Sequence, residues 1–137
     1  MRRSLFFASI SIALVLGFAW LNGGNPTLAQ KKDASAISHD VYFSLKDASP
    51  AGKRKLVDAC KKYLSGHEGE VFYAAGARVE SLKREVNDVE FDVALHIVFK
   101  DLASYDKYAV APRHDQFIKE NKDNWKKVRV FDGYAER

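Results

Sequence analysis

The feature that most constrains this chain is an alternating pattern in two separate segments, 37–46 and 91–100, that places most of the large apolar side chains at every second position. The alternating apolar positions are Ile37, Val41, Phe43 and Leu45 in the first segment and Phe91, Val93, Leu95, Ile97 and Phe99 in the second. Successive side chains of a β-strand point to opposite faces of a sheet, so each segment is predicted to be a strand with one buried face. Residues 70–79 and 125–134 are predicted to form two further strands.

Two helical regions are expected between these strands. Ser49 followed by Pro50 is typical of a helix start, because Ser caps free N–H groups and Pro fits the first helical position. The apolar side of the first helix recurs at helical spacing through Leu56, Val57, Cys60, Tyr63 and Leu64. Gly66 is expected to end it. Asp101 is predicted to cap the second helix, and Pro112 to begin a further helical piece.

The resulting order, β-α-β-β-α-β, predicts an α+β fold of the ferredoxin-like type. Both helices would cover one face of a four-stranded antiparallel sheet and leave the other face open. We expect that open face to carry Tyr42, Val98, Val128 and Val130. An exposed apolar face usually meets another protein surface, so a homodimer packed through the two sheets is predicted.

The N-terminus has the layout of a signal peptide. Arg2 and Arg3 precede a mostly apolar run from Ser4 to Trp20, and small residues lead up to Ala29. We therefore expect residues 1–29 to be a signal peptide, residues 30–36 a flexible linker and residues 37–137 the folded domain. The protein would be exported to the periplasm or secreted. The alternative is an uncleaved segment that anchors the domain to a membrane.

Charge and cysteine content exclude other classes. The net charge is +4, and loss of Arg2 and Arg3 with the leader would lower it by two, which gives no basic footprint for nucleic acid. The single cysteine, Cys60, cannot form an internal disulfide and lies on the apolar side of the first predicted helix. No glycine-rich phosphate loop, nucleophile elbow or close set of metal ligands is present, so neither a cofactor nor a metal is expected.

Three side chains are candidates for a site. His39 interrupts the apolar face of the first strand, where a buried polar ring needs a partner. Tyr108 and His114 flank the turn at Pro112, so both could point back towards His39. These groups could bind a polar part of a ligand, or His114 could act as a base with Tyr108 as an oxyanion donor. They could also simply be satisfied core residues. His67 and His96, in contrast, are expected to be exposed and isolated.

Several segments resemble the stress-responsive dimeric α/β-barrel (Dabb) family. They are residues 38–47 (SHDVYFSLKD), the strand 91–99, Asp106-Lys107-Tyr108 with Ala111-Pro112-Arg113-His114, and residues 128–132 (VRVFD). The resemblance implies a ferredoxin-like subunit that dimerises through its sheets into a barrel. In a plant member, olivetolic acid cyclase, a His–Tyr pair closes a polyketide ring, and the pair corresponds here to His114 and Tyr108, with His39 in the same cavity. Val93 stands where that cyclase has a further histidine, which implies a different substrate.

Three functions are therefore expected from the sequence, and whether the protein is an enzyme is left open. The first is an exported dimer that binds a small apolar molecule between sheet and helices, with His39, Tyr108 and His114 setting its orientation. The second is a cofactor-free cyclase, lyase or isomerase that uses His114 and Tyr108. The third is a structural, stress-protective dimer without a ligand.

Overall fold

The computed structural model describes residues 35–136. The elements are β1 (Ala36–Leu45), α1 (Pro50–Leu64), β2 (Glu70–Ala77), β3 (Val93–Phe99), α2 (Leu102–Ala109), α3 (Pro112–Asn121), a 3-10 turn (Lys122–Asn124) and β4 (Trp125–Ala135). The predicted order of strands and helices is confirmed. The predicted signal peptide, 1–29, and residues 30–34 of the predicted linker lie outside the described residues. Within residues 35–136, no helix is both long enough and apolar enough to cross a membrane.

The four strands form one antiparallel sheet in the order β2-β3-β1-β4. The helices cover one face of this sheet, which we call the covered face, and the opposite side is the open face. β1 lies inside the sheet and pairs with β3 and β4, so its alternation sends Val41 and Phe43 to the covered face and Tyr42 to the open face. The core lies between the covered face and the helices.

The helix starts follow the capping residues seen in the sequence. The Gly52 N–H donates to the Ser49 hydroxyl at 3.1 Å, and the Ser104 N–H donates to the Asp101 carboxylate at 2.8 Å. Pro112 stands in the first turn of α3, so the second helical region is divided into α2 and α3 as predicted. These caps satisfy N–H groups that have no partner inside a helix.

Gly69 fixes the approach of α2 to the loop before β2. Its φ of +83° lies in the left-handed region, and a Cβ at this position would come within 2.2 Å of the Ser104 hydroxyl oxygen. The Gly69 carbonyl also accepts from the Lys100 N–H at 2.9 Å. A residue with a side chain would therefore push away the first turn of α2.

The prediction for β4 is wrong in its choice of faces. Val128 pairs with Phe43 and Val130 with Val41, so both valines lie on the covered face instead of the open one. The reason is an irregularity in the β1–β4 register, where Trp125 pairs with Leu45 but Lys127 already pairs with Ser44. One extra residue in a strand moves every following side chain to the other face. Tyr42 and Val98 lie on the open face, as predicted, and the β4 side chains there are Lys127, Arg129 and Phe131.

The connection between β2 and β3 lies against the open face, and we call it the arm (residues 78–92). Its base is closed by the Arg78 N–H, which donates to the Asp92 carbonyl at 2.9 Å. The Asp92 carboxylate accepts from the Leu45 N–H at 2.8 Å, which ties the base to β1. An ion pair between Asp88 and Arg129 holds the arm against β4.

Candidate functional site

A cavity of about 260 Å³ lies between the covered face and the helices. Its lining residues are His39, Val41, Phe43, Leu64, Leu95, Tyr105, Tyr108, His114, Phe117, Ile118, Trp125, Val128 and Val130. The three candidate residues from the sequence, His39, Tyr108 and His114, are thus brought together in one mostly apolar cavity. The two valines assigned to the wrong face also line this cavity.

His39 is held by a carboxylate that sequence reasoning missed. Nδ1 of His39 lies 2.7 Å from the Asp132 carboxylate, and the two residues are directly paired between β1 and β4. A carboxylate only accepts hydrogen bonds, so Nδ1 of His39 carries the proton and donates to Asp132. The histidine side chain is 9% exposed and the aspartate 45%, which places the pair at the edge of the buried core.

Tyr108 occupies the centre of the site. The residue is 2% exposed and its ring lies 5.6 Å from that of His39 and 4.8 Å from that of His114. No group among residues 35–136 hydrogen-bonds its buried hydroxyl. Burial raises the pKa of this hydroxyl well above its usual value of 10, so the phenol stays protonated and is able to donate.

His114 lies in the first turn of α3, where Pro112 turns the chain back towards the sheet. Its Nδ1 is buried and has no hydrogen-bond partner among the described residues. Burial lowers the pKa of this imidazole below 6.5, and the nearby His39 lowers it further. The ring is therefore neutral at pH 7, which is the state a general base requires.

The expectation that His67 is exposed and isolated is wrong. Its ring packs edge-on against Tyr108 at 4.9 Å, and Nε2–H donates to the Tyr63 carbonyl at 2.9 Å. Tyr108 is consequently surrounded by three imidazoles, those of His39, His67 and His114. Gly66 and Gly69, both with positive φ, shape the loop that brings His67 to this position.

His96 is also not isolated, but it lies away from the cavity. Its Nδ1 lies 2.6 Å from the Asp40 carboxylate, which also accepts from the Ser38 hydroxyl at 2.6 Å. The pairing of His96 with Asp40 across β3 and β1 places both on the open face.

Neither a cluster of metal ligands nor a reactive thiol accompanies these side chains within residues 35–136. Among residues 35–136, no three His, Cys, Asp or Glu side chains lie close enough together to hold a metal ion. Cys60 is fully buried, and burial raises the pKa of its thiol to about 12, so it is an inert core residue as expected. The polar groups at the cavity are the protonated phenol of Tyr108, the neutral ring of His114 and the His39–Asp132 pair.

Comparison with known proteins agrees with this architecture. No curated protein matches the sequence. A Dabb-family protein of ferredoxin-like fold from Mesorhizobium loti is 25% identical and matches with a TM-score of 0.61 over 75% of this chain and 99% of its own.

Two further solved structures share the fold alone. A dimeric ferredoxin-like protein of unknown function from Thermobifida fusca is 16% identical, with a TM-score of 0.62 over 74% of this chain and 92% of its own. A hydroxynitrile lyase from Passiflora edulis is 17% identical, with a TM-score of 0.60 over 74% of this chain and 94% of its own.

The resemblance seen in the sequence is confirmed at the level of the whole domain. The family model described as the stress responsive A/B barrel domain matches residues 37–135, which covers the sheet, the helices and every residue that lines the cavity. The chain therefore belongs to the stress-responsive A/B barrel (Dabb) family.

Proposed function

We propose that the protein binds a small, mostly apolar molecule with one uncharged polar group in the cavity between sheet and helices. The observation that carries this proposal is a pair of buried polar atoms, the Tyr108 hydroxyl and Nδ1 of His114. Both residues line the cavity, and neither atom has a hydrogen-bond partner among residues 35–136. Each buried unpaired polar group costs about 1–3 kcal/mol, and a ligand hydroxyl or carbonyl would remove part of that cost.

The lining determines the class of ligand. Aliphatic and aromatic side chains make up most of the wall, and none of the described lining residues is Lys or Arg. With Tyr108 protonated and His114 neutral at pH 7, neither of these two groups offers an opposite charge to a ligand anion. A volume of about 260 Å³ suits a fragment-sized molecule such as a short alkylphenol or an aryl ketone.

The proposal includes a homodimer formed through the open face and export of the mature protein. The dimer is supported by the apolar side chains on that face and by the dimeric Thermobifida fusca relative. Export is supported by the leader pattern of residues 1–29 alone.

Binding of 4-propylphenol and of propylbenzene, measured by calorimetry, tests the role of Tyr108. Tyr108→Phe removes one hydroxyl and keeps the ring, so we expect the affinity for 4-propylphenol to fall roughly two- to tenfold. The affinity for propylbenzene should stay unchanged, because it has no polar group to lose a hydrogen bond.

The matched control is Tyr134→Phe, since Tyr134 is 75% exposed and does not line the cavity. It should leave both affinities as in the wild type. An equal loss for both ligands in Tyr108→Phe would contradict the hydrogen bond. Absence of binding by either ligand would favour the third hypothesis, a structural dimer without a ligand.

Acid–base chemistry in the same cavity is a second candidate, favoured by the neutral ring of His114 beside the protonated hydroxyl of Tyr108. The His39–Asp132 pair lies in the same wall, where the carboxylate fixes the orientation of the His39 ring. His114 would remove a proton next to a ligand carbonyl, the electron pair would move to the carbonyl oxygen, and the Tyr108 hydroxyl would donate to that oxygen. The Passiflora edulis relative is a hydroxynitrile lyase, so a protein of this fold carries lyase chemistry.

Exchange of the α-protons of 4-phenylbutan-2-one in deuterated water, followed by NMR, tests this chemistry. We expect the protein to accelerate exchange and His114→Gln to abolish the acceleration. The base must be neutral and its pKa is lowered by burial, so the rate should fall with decreasing pH around a midpoint below 6.5.

Lys119→Gln, a change on the exposed side of α3, is the control and should keep the wild-type rate. Full exchange in His114→Gln would rule out His114 as the base.

A further inference from the structure

An aromatic cluster on the open face consists of Tyr42, His96 and Phe131 of the strands and Phe91 of the arm, which was predicted to lie on the buried side of the strand. Tyr42 is at its centre, with ring distances of 5.0 Å to Phe91, 5.8 Å to Phe131 and 5.9 Å to His96. Phe131 is 53% exposed, and Phe72 on the same face is 54% exposed. Apolar side chains exposed together in this way usually mark a contact surface.

The arm places a second set of apolar side chains beside this cluster. Exposure reaches 58% for Val79, 52% for Leu82, 85% for Val86 and 46% for Val89, although the residues between them are mostly charged. Four exposed apolar side chains are unusual in a charged surface loop, and the other residues of the arm do not bury them. A groove of about 540 Å³ separates Val79, Leu82 and Val86 from Tyr42, Phe91 and Phe131.

The arm is fixed in its position above the open face. Arg129, on the open face of β4, pairs with Asp88 of the arm, and the Ser44 hydroxyl donates to the Glu90 carbonyl at 2.6 Å. Two sheets that pack face to face are about 10 Å apart. A second sheet laid on this open face would consequently contact the arm as well as the strands.

The charges around the groove suit a second copy of the same chain. Arg78 and Arg129 contribute positive charge to its lining, and Asp40 and Asp88 contribute negative charge. In a two-fold interface each patch meets itself, so a patch that carries both signs can pair oppositely charged groups across the axis. A patch of one sign would repel its copy.

We propose that the arm of each protomer packs onto the open face of a second copy and buries Leu82 and Val86 in the interface. The proposal deepens the homodimer of the proposed function and rests on it. Each protomer then contributes two surfaces to the contact, its strands and its arm, so the groove of one chain is completed only by the other.

The test compares two single substitutions at exposed valines by sedimentation equilibrium of the mature protein. Val86→Glu introduces a charge at the 85% exposed position of the arm, and Val110→Glu introduces the same charge at a 76% exposed position between α2 and α3. We expect Val86→Glu to raise the dimer dissociation constant at least tenfold and Val110→Glu to leave it unchanged. Circular dichroism should show the same folded spectrum for both variants, because neither side chain is buried in the single chain.

A third variant, Phe131→Glu, separates this proposal from the dimer itself. If Phe131→Glu dissociates the dimer and Val86→Glu does not, the open face forms the interface and the proposed role of the arm is wrong. If the wild type is monomeric, or if neither Val86→Glu nor Phe131→Glu changes the dissociation constant, both the sheet-face dimer and the role of the arm are wrong. Dissociation by Val86→Glu but not by Val110→Glu supports the arm.

Discussion

Phe99→Ala is expected to lower the free energy of unfolding by about 3–5 kcal/mol, because it leaves a cavity where a large side chain is fully buried. Phe99 ends β3, is 0% exposed, and its ring lies 4.9 Å from Tyr108 and 6.0 Å from Tyr105. Urea denaturation followed by circular dichroism measures the change. The substitution should also lower the melting temperature by more than about 10 °C for a domain of this size.

Leu102→Ala provides the comparison for this prediction. Leu102 is 52% exposed at the start of α2, so its truncation should change stability by no more than about 0.5 kcal/mol. A loss in Phe99→Ala as small as that of Leu102→Ala would mean that the core does not depend on packing at the end of β3.

Gly69→Ala should destabilise the protein by about 2–4 kcal/mol, since it combines left-handed backbone strain with a steric clash. The φ of +83° disfavours any residue with a side chain, and the new Cβ would meet the Ser104 hydroxyl oxygen at 2.2 Å and its Cβ at 2.5 Å. Ser104 is 4% exposed and belongs to the helix that carries Tyr108. We therefore expect weaker ligand binding as well as lower stability, measured by denaturation and by calorimetry with 4-propylphenol.

Gly66→Ala separates the two causes of this loss. Gly66 has a φ of +72°, but a Cβ there would have no atom within 4 Å. Only the backbone term should remain, which is about 1 kcal/mol. If the two alanine variants lose the same stability, the contact with Ser104 is not tight.

The element order could be predicted because each local signal agrees with the tertiary structure. In β1 and β3 the alternation of the sequence matches the alternation of buried and half-buried side chains, because both strands lie inside the sheet and bury one face. The helix starts at Ser49 and Asp101 depend on hydrogen bonds within three residues of the cap, so they can be identified from the sequence alone.

The faces of β4 were assigned incorrectly because the register irregularity that puts Trp125 and Val128 on the same face is set by pairing with β1. Val128 and Val130 alternate with Lys127 and Arg129, but Trp125 is out of phase with the two valines, and the Leu45–Trp125 and Ser44–Lys127 pairs put all three on the covered face. Because this orientation was assigned incorrectly, Val128 and Val130 were not recognised as part of the cavity wall.

Asp132 was missed for the same reason, the incorrect assignment of the faces of β4. In the correct orientation Asp132 follows Val128 and Val130 on the covered face, where a carboxylate is as unusual as His39 is on β1. Two polar residues on otherwise apolar faces would then have suggested each other as partners. His39 was found because it interrupts the apolar face of β1, and Tyr108 and His114 were found because they flank the turn at Pro112 and match the Dabb pattern. His67 was missed because only the fold brings it to Tyr108.

The strand order has a consequence for how the molecule is made. β1 is synthesised first, yet both of its neighbours, β3 and β4, come later, and the hydrogen bond from His39 to Asp132 joins positions 93 residues apart. A nascent chain has no partner for either edge of its first strand until most of the domain exists. The His39 imidazole gains its hydrogen-bond partner, Asp132, only after β4 has been synthesised. A fragment that stops between residues 115 and 124 would contain Tyr108 and His114 but would lack the wall of the cavity that β4 supplies, so we expect the proposed ligand to bind only the complete domain.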